Sequence, residues 1–236
     1  RGDLGVEMPI DEVPLIQKDI IRRCNQAGKP VITATQMLES MIGAPDPTRA
    51  EATDVANSIL DGTDAVMLSG ETAVGQYPIA AVQIMHNIAS RTEQSLQEGS
   101  RQYWSYPAGS LSITESVAEA VCKIAYEIGA KAILCNTSSG SAARLVSKYR
   151  PTTPIIALTT EKNTYQQLAL SWGVEPYPIP SVSNTEQMLA QVINTVSQKG
   201  LAENGDKVVI TSGIPFGVSG TTSSVNVHIV GEPIGS

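Results

Sequence analysis

The chain has 236 residues, 42% hydrophobic and 17% charged, with a formal net charge of −7. That apolar fraction supports a packed core and excludes a disordered acidic chain, and the length allows one large domain or two modest ones. The acidic balance argues against a nucleic-acid binder, no apolar run reaches the ~20 residues of a membrane span, and the cysteines Cys24, Cys122 and Cys135 form no CxxC pair, as expected of reduced thiols in the cytoplasm.

The opening Arg1-Gly2-Asp3-Leu4-Gly5 reads as the tail of a strand whose body lies upstream, so the chain is expected to begin inside a longer protein. Leu15 to Ala27 has amphipathic helical spacing. The β-branched run Val31-Ile32-Thr33-Ala34-Thr35, introduced by Gly28-Lys29-Pro30, reads as a strand. Thr48 to Leu60 is a second helix, and Thr48-Arg49-Ala50-Glu51 has the capping-box pattern, in which hydroxyl and carboxylate satisfy reciprocal backbone donors. Ala65 to Glu71 is the next strand. Strand, helix, strand, helix implies parallel strands with right-handed crossovers.

Each apolar run ends in polar groups: Thr33, Thr35 and Gln36 for the first, Ser69 and Glu71 for the second. In an eight-fold β/α barrel, reacting groups sit on the carboxyl ends of the strands. For any one strand, helix capping explains these groups as well as function does; three strands in a row, counting the Arg1–Gly5 segment, favour function.

From about Ile88 to Ser112 the periodicity fades, and the stretch through Tyr103-Trp104-Ser105-Tyr106-Pro107 is polar and aromatic. The expected organisation is a first domain over residues 1–88, a linker or excursion over 89–112 and a second domain over 113–236. The second domain repeats the α/β rhythm: helix Thr114–Ile128, strand Ala132–Cys135, helix Ala142–Tyr149, strand Ile155–Leu158 and helix Asn163–Leu170. Asn184-Thr185-Glu186-Gln187 opens another helix, and strands Lys207–Thr211 and Val225–Val230 close the chain. This pattern predicts an open, mostly parallel sheet flanked by helices.

Two loops of the second domain have phosphate chemistry. Thr137-Ser138-Ser139-Gly140-Ser141 lies between a strand and a helix, where unsatisfied amides and the helix dipole favour an anion, although the lysine of GxxxxGK[ST] is missing. Gly213-Ile214-Pro215-Phe216-Gly217-Val218-Ser219-Gly220-Thr221-Thr222 also follows a strand. Either alone is compatible with ordinary turn chemistry; together they favour a phosphate-bearing small ligand. His86 and His228 have no metal-spaced partners, and Glu115 and Glu119 read as a solvated helix face.

Arg1–Glu7, Gly28–Met41, Pro47–Glu51 and Met67–Ala73 are long, ordered strings that closely resemble pyruvate kinase. The likeness covers essentially the whole chain, in a form typical of bacterial members. Residues 1–88 resemble the C-terminal part of a (β/α)8 TIM barrel, and 113–236 the C-terminal α/β regulatory domain. The resemblance implies phosphoryl transfer from phosphoenolpyruvate to ADP, giving pyruvate and ATP. It also implies Mg²⁺ (or Mn²⁺) and K⁺ as cofactors, a cytoplasmic homotetramer and a sugar-phosphate effector.

Residue by residue, Asp3 matches the family's metal-binding aspartate, and Gly2 and Asp3 match positions whose backbone approaches the substrate carboxylate. Thr35 matches the substrate-binding threonine. Ser69 and Glu71 match the polar pair assigned to proton relay towards the enolate carbon. Thr137, Ser138, Ser139, Gly140 and Ser141 match the effector phosphate loop, and Gly217, Ser219, Gly220, Thr221 and Thr222 the second effector loop. Ser141 stands where some fructose-bisphosphate-responsive members carry arginine, which favours a monophosphate.

The family's transition-state lysine, second metal-binding carboxylate, phosphate-binding arginine, K⁺ ligands and mobile domain lie upstream of these strings and are not among the 236 residues. The isolated chain is therefore expected to be inactive. Whether a further domain follows Ser236 stays open. Two other readings are a non-catalytic module binding phosphorylated metabolites, and a different barrel enzyme acting on phosphoenolpyruvate or pyruvate. The strings around Thr35 and Ser69–Glu71 weigh against the last.

Overall fold

The computed structural model describes residues 1–98, 111–181, 185–213 and 222–233. It divides into two compact units, Arg1–Gln102 and Tyr103–Ser236.

The first unit runs α1 (Gly2–Glu7), α2 (Val13–Gln26), β1 (Ile32–Thr33), a 3₁₀ turn (Glu39–Ile42), α3 (Arg49–Leu60), β2 (Ala65–Val66), α4 (Gly70–Ala73) and α5 (Pro78–Glu98). The opening residues correct the expectation of a strand tail: Gly5 N–H donates to the Arg1 carbonyl at 2.9 Å and Met8 N–H to that of Leu4 at 3.0 Å, closing helical turns. The strands β1 and β2 pair in parallel, Ile32 opposite Ala65 and Thr33 opposite Val66. They are shorter than the apolar runs suggested, because the chain turns sharply after each.

The capping box at α3 forms as its spacing predicts. Thr48 Oγ1 accepts from Glu51 N–H at 3.2 Å, while Glu51 Oε2 accepts from Thr48 N–H at 2.8 Å. Behind β1 and β2, Met37, Leu38, Met41, Val55, Ile59, Ala81 and Met85 form one buried cluster that packs α3 against α5. Residues 89–98, which lack a sustained apolar period, continue α5 to Glu98.

The second unit holds α6 (Ile113–Glu127), β3 (Ala132–Asn136), α7 (Ser141–Lys148), β4 (Ile155–Thr159), α8 (Lys162–Leu168), β5 (Val174–Pro178), α9 (Thr185–Gln198), β6 (Lys207–Gly213) and β7 (Thr222–Ile229). Its sheet order is β5-β4-β3-β6-β7, parallel except for β7 against β6. Alternation along β3 feeds two cores. Ile133 and Cys135 face Val121, Val146 and Leu168, whereas Ala132 and Leu134 face Met188, Val192 and Val196. Both faces are covered, as parallel strands require. Burial against this core pushes the Cys135 thiol well above its ordinary range, leaving it protonated and inert.

Candidate functional site

In the first unit the site residues lie on the segments that follow β1 and β2 and on α1. After β1 the chain enters an unusual conformation: Thr35 and Gln36 both have positive φ, 72° and 56°. The left-handed region costs a non-glycine residue about 1–2 kcal/mol, and a β-branched threonine is a true outlier there. Two brackets hold this turn.

Arg1 supplies the first. Its Nε donates to the carbonyls of Ala34 (3.1 Å) and Thr35 (3.0 Å), and one terminal nitrogen donates to those of Thr35 (2.5 Å) and Gln36 (3.0 Å). The other terminal nitrogen pairs with Asp54 of α3. Glu71 supplies the second. It is 3% exposed, and its two carboxylate oxygens accept from Leu38 N–H at 3.1 Å and Ser69 N–H at 2.8 Å. Its charge is thus stabilised by backbone donors, and it ties the loop after β1 to the loop after β2.

The structure brings Gly2 to Thr35: a Cβ built on Gly2 would lie 3.3 Å from Thr35 Cγ2 and 3.9 Å from its Oγ1. Any larger residue at position 2 crowds that threonine. Ser69 is exposed and precedes α4, so its hydroxyl is available beside the buried Glu71 carboxylate. The Asp3 side chain is exposed and, among the described residues, takes no hydrogen bond or ion pair. No group of three metal-ligating side chains occurs among the described residues. Magnesium keeps several waters and accepts one or two carboxylates, so a lone accessible Asp3 fits a single protein contribution to such an ion.

In the second unit the sheet order reverses beside β3: the chain steps out to β4 and β5, then returns to β6 on the other side. Ligands of open α/β sheets bind at the carboxyl ends of strands flanking such a switch. Here β3 and β6 end side by side, Asn136 opposite Ser212. The loop after β3 is rigidly built. Thr137 Oγ1 accepts from Gly140 N–H at 2.9 Å, and Thr164 donates to the Ser138 carbonyl at 2.7 Å. Gly140 caps α7 at φ 80°, where an added Cβ would meet Arg144, Leu168 and Thr164 at 2.7, 3.1 and 3.2 Å.

Arg144 folds back and donates to the Ser139 carbonyl at 2.8 Å, so a guanidinium stands beside the first turn of α7. Ser139 donates to Ser141 at 3.2 Å. Of the second loop, Gly217, Ser219, Gly220 and Thr221 lie outside the described residues; Thr222 opens β7, is 2% exposed and pairs with Gly213. Asn184 likewise lies outside them.

Glu115, which reads in sequence as part of a solvated face, is instead half-buried. Its Oε1 accepts from Lys148 Nζ at 2.9 Å, and its Oε2 accepts from Ser112 N–H at 3.0 Å, completing a second capping box at α6. The Lys148 hydrogen bond, then those from Ser112, lower the Glu115 pKa to about 2. His86 is exposed, and His228 lies half-buried within β7.

Two family models account for most of the chain: the pyruvate kinase barrel domain over residues 1–82 and the pyruvate kinase alpha/beta domain over 115–228. The chain belongs to the pyruvate kinase family. It is 50% identical to the pyruvate kinase of Geobacillus stearothermophilus over 98% of its own residues, and 48% identical to that of Lactobacillus delbrueckii subsp. bulgaricus over 99%. It spans 40% of the length of each of these relatives. A crystal structure of a pyruvate kinase from Cryptosporidium parvum superposes with a TM-score of 0.83 at 36% identity, covering 97% of this chain and 46% of that one. The first unit is thus a C-terminal portion of the pyruvate kinase barrel, and the second the family's α/β domain. Arg1 and Lys148 carry roles that their sequence neighbourhood does not signal; the second cap was missed, although the Ser112-x-x-Glu115 spacing is the pattern that could have revealed it.

Proposed function

We propose that a full-length protein carrying this chain transfers the phosphoryl group of phosphoenolpyruvate to ADP, with this chain supplying Gly2, Asp3, Thr35, Ser69 and Glu71 to the site. The observation that carries the reading is the convergence of Gly2, beside Asp3, on Thr35, together with the Glu71 bridge between the loops after β1 and β2. A divalent cation, when bound, neutralises charge on the transferring phosphoryl group and the enolate oxygen. Asp3 offers it a hard oxygen ligand, and Gly2, lacking a Cβ, lets substrate approach the backbone.

The Thr35 hydroxyl, held by the locked turn, orients the substrate. Ser69 stands exposed in the loop after β2 and relays a proton from water to the enolate carbon, taking the water's proton as it passes on its own, with the Glu71 carboxylate fixing its backbone beside the site. None of the described residues is assigned to K⁺.

The same reading makes the loop Thr137–Ser141 an effector site for a phosphate monoester, with Gly217, Ser219, Gly220, Thr221 and Thr222 as its second wall. It also makes the whole protein a cytoplasmic homotetramer. The backbone donors of α7, the Arg144 guanidinium and the switch-point position support the effector assignment. No helix among the described residues is long and apolar enough to cross a membrane.

Asp3→Asn in the full-length protein tests the catalytic reading. It removes the hard anionic ligand while keeping the shape, and should lower kcat/KM for phosphoenolpyruvate by about 100-fold, with a raised Mg²⁺ requirement, on the scale of losing one charged transition-state contact. An unchanged kcat/KM and metal requirement in the folded variant contradicts the assignment.

A further inference from the structure

We infer that Arg1 is a positioning residue for phosphoenolpyruvate recognition: its guanidinium locks the left-handed turn that aims Thr35, and couples that turn to the adjacent Gly2–Asp3 segment. The inference rests on the proposed function and concerns a residue that this reading leaves without a role. Three consecutive carbonyls, those of Ala34, Thr35 and Gln36, converge on one guanidinium. Thr35 and Gln36 both hold positive φ, a conformation uncommon for non-glycine residues, and the guanidinium gathers the carbonyls of that turn. The terminal nitrogen that donates to Thr35 and Gln36 also reaches Met37 Sδ at 2.9 Å, so the bracket extends to the point where the chain enters the buried cluster.

The geometry needs arginine in particular. Several donors in one rigid plane serve three acceptors and still leave a terminal nitrogen for Asp54; an ammonium is a point charge and cannot span them. The Arg1 side chain is 15% exposed, so its charge is largely withdrawn from water, with Asp54 as its counter-ion. Arg1 is bonded to Gly2, whose missing Cβ leaves room for Thr35 Cγ2. One residue therefore sets the distance between the threonine that orients substrate and the aspartate that holds the metal. Because Arg1 acts through the turn and not on the reacting atoms, its loss should weaken phosphoenolpyruvate binding and spare the nucleotide.

The test uses the full-length protein with Arg1→Lys, which keeps the positive charge, and Asp54→Asn, which keeps the guanidinium but frees its outer end. Arg1→Lys should raise KM for phosphoenolpyruvate by about tenfold, the scale of one or two lost charge-assisted hydrogen bonds, while KM for ADP stays within about twofold. Asp54→Asn should move the same parameter in the same direction by a smaller factor. In a Thr35→Ala background the Arg1→Lys effect should largely vanish, since the group being aimed is gone.

An unshifted KM for phosphoenolpyruvate in both variants, equal shifts for the two substrates, or full additivity with Thr35→Ala overturns the inference while leaving the proposed function standing. Absence of any turnover by the unsubstituted protein removes both.

Discussion

Replacing Gly75 by alanine should destabilise the first unit by about 3 kcal/mol and lower activity of the full-length protein together with it. A Cβ at Gly75 would lie 2.3 Å from the Glu71 carbonyl oxygen, 3.0 Å from its carbonyl carbon and 3.2 Å from its Cα. These are backbone atoms, so no rotamer change relieves the overlap. Gly75 N–H also donates to the Gly70 carbonyl at 2.9 Å, closing α4. Relief requires that α4 open or that Glu71 move, and Glu71 is buried with both oxygens engaged on Leu38 and Ser69. Overpacking of this kind costs about 1–3 kcal/mol, and immobile backbone puts the position at the upper end. Thermal unfolding and steady-state rates measured together check it: a normal Tm with normal activity would show that Glu71 is not held as described.

A second large effect is expected at the Glu115–Lys148 pair. The Lys148 side chain is 4% exposed and that of Glu115 27%, so removing the carboxylate takes the ion-pair partner from an ammonium buried in the second unit. Glu115→Gln keeps a capping partner for Ser112 but removes the charge, and should cost about 3 kcal/mol at pH 7. The pH dependence has a definite sign. The Lys148 hydrogen bond holds the folded-state pKa of Glu115 at about 2, below the ordinary value of 4.5. Its contribution is therefore complete above about pH 4.5 and lost as pH falls towards 2. Denaturation midpoints of wild type and Glu115→Gln should differ at pH 7 and converge across that window. Adding Lys148→Met to Glu115→Gln should recover much of the loss, because a neutral pair buries no charge without its counter-ion.

Much of the second unit was legible because β3 and β4 are almost wholly apolar and buried, and helices such as α6 amphipathic, so period and burial agree. Strand β5 was not. Its residues Val174-Glu175-Pro176-Tyr177-Pro178 contain two prolines, which lack ladder donors; as an edge strand bonded only to β4, it tolerates them. At the other end of the chain, Gly2 and Gly5 are poor helix formers, so propensity gave no sign of α1. That turn forms beside the Arg1 bracket, whose partners lie 33 to 53 residues away in sequence.

The candidate site divides in the same way. Thr35, Ser69 and Glu71 were marked by polar residues ending apolar runs, a local signal. The positive φ of Thr35, the burial of Glu71 and the convergence on Arg1 arise from contacts between separate segments, which spacing does not encode. Lys148 illustrates the point, since a lysine ending an eight-residue helix ordinarily faces water, and only the position of α6 buries it against Glu115.

On the proposed function, this chain carries part of a site that moves a phosphoryl group from an enol phosphate to a nucleoside diphosphate. Phosphorus NMR of the full-length protein with phosphoenolpyruvate, ADP and Mg²⁺ follows that transfer atom by atom. The phosphoenolpyruvate resonance should be replaced, one for one, by the γ-phosphate of ATP as pyruvate accumulates. Free phosphate in place of ATP, or no change in the presence of folded protein, would contradict it.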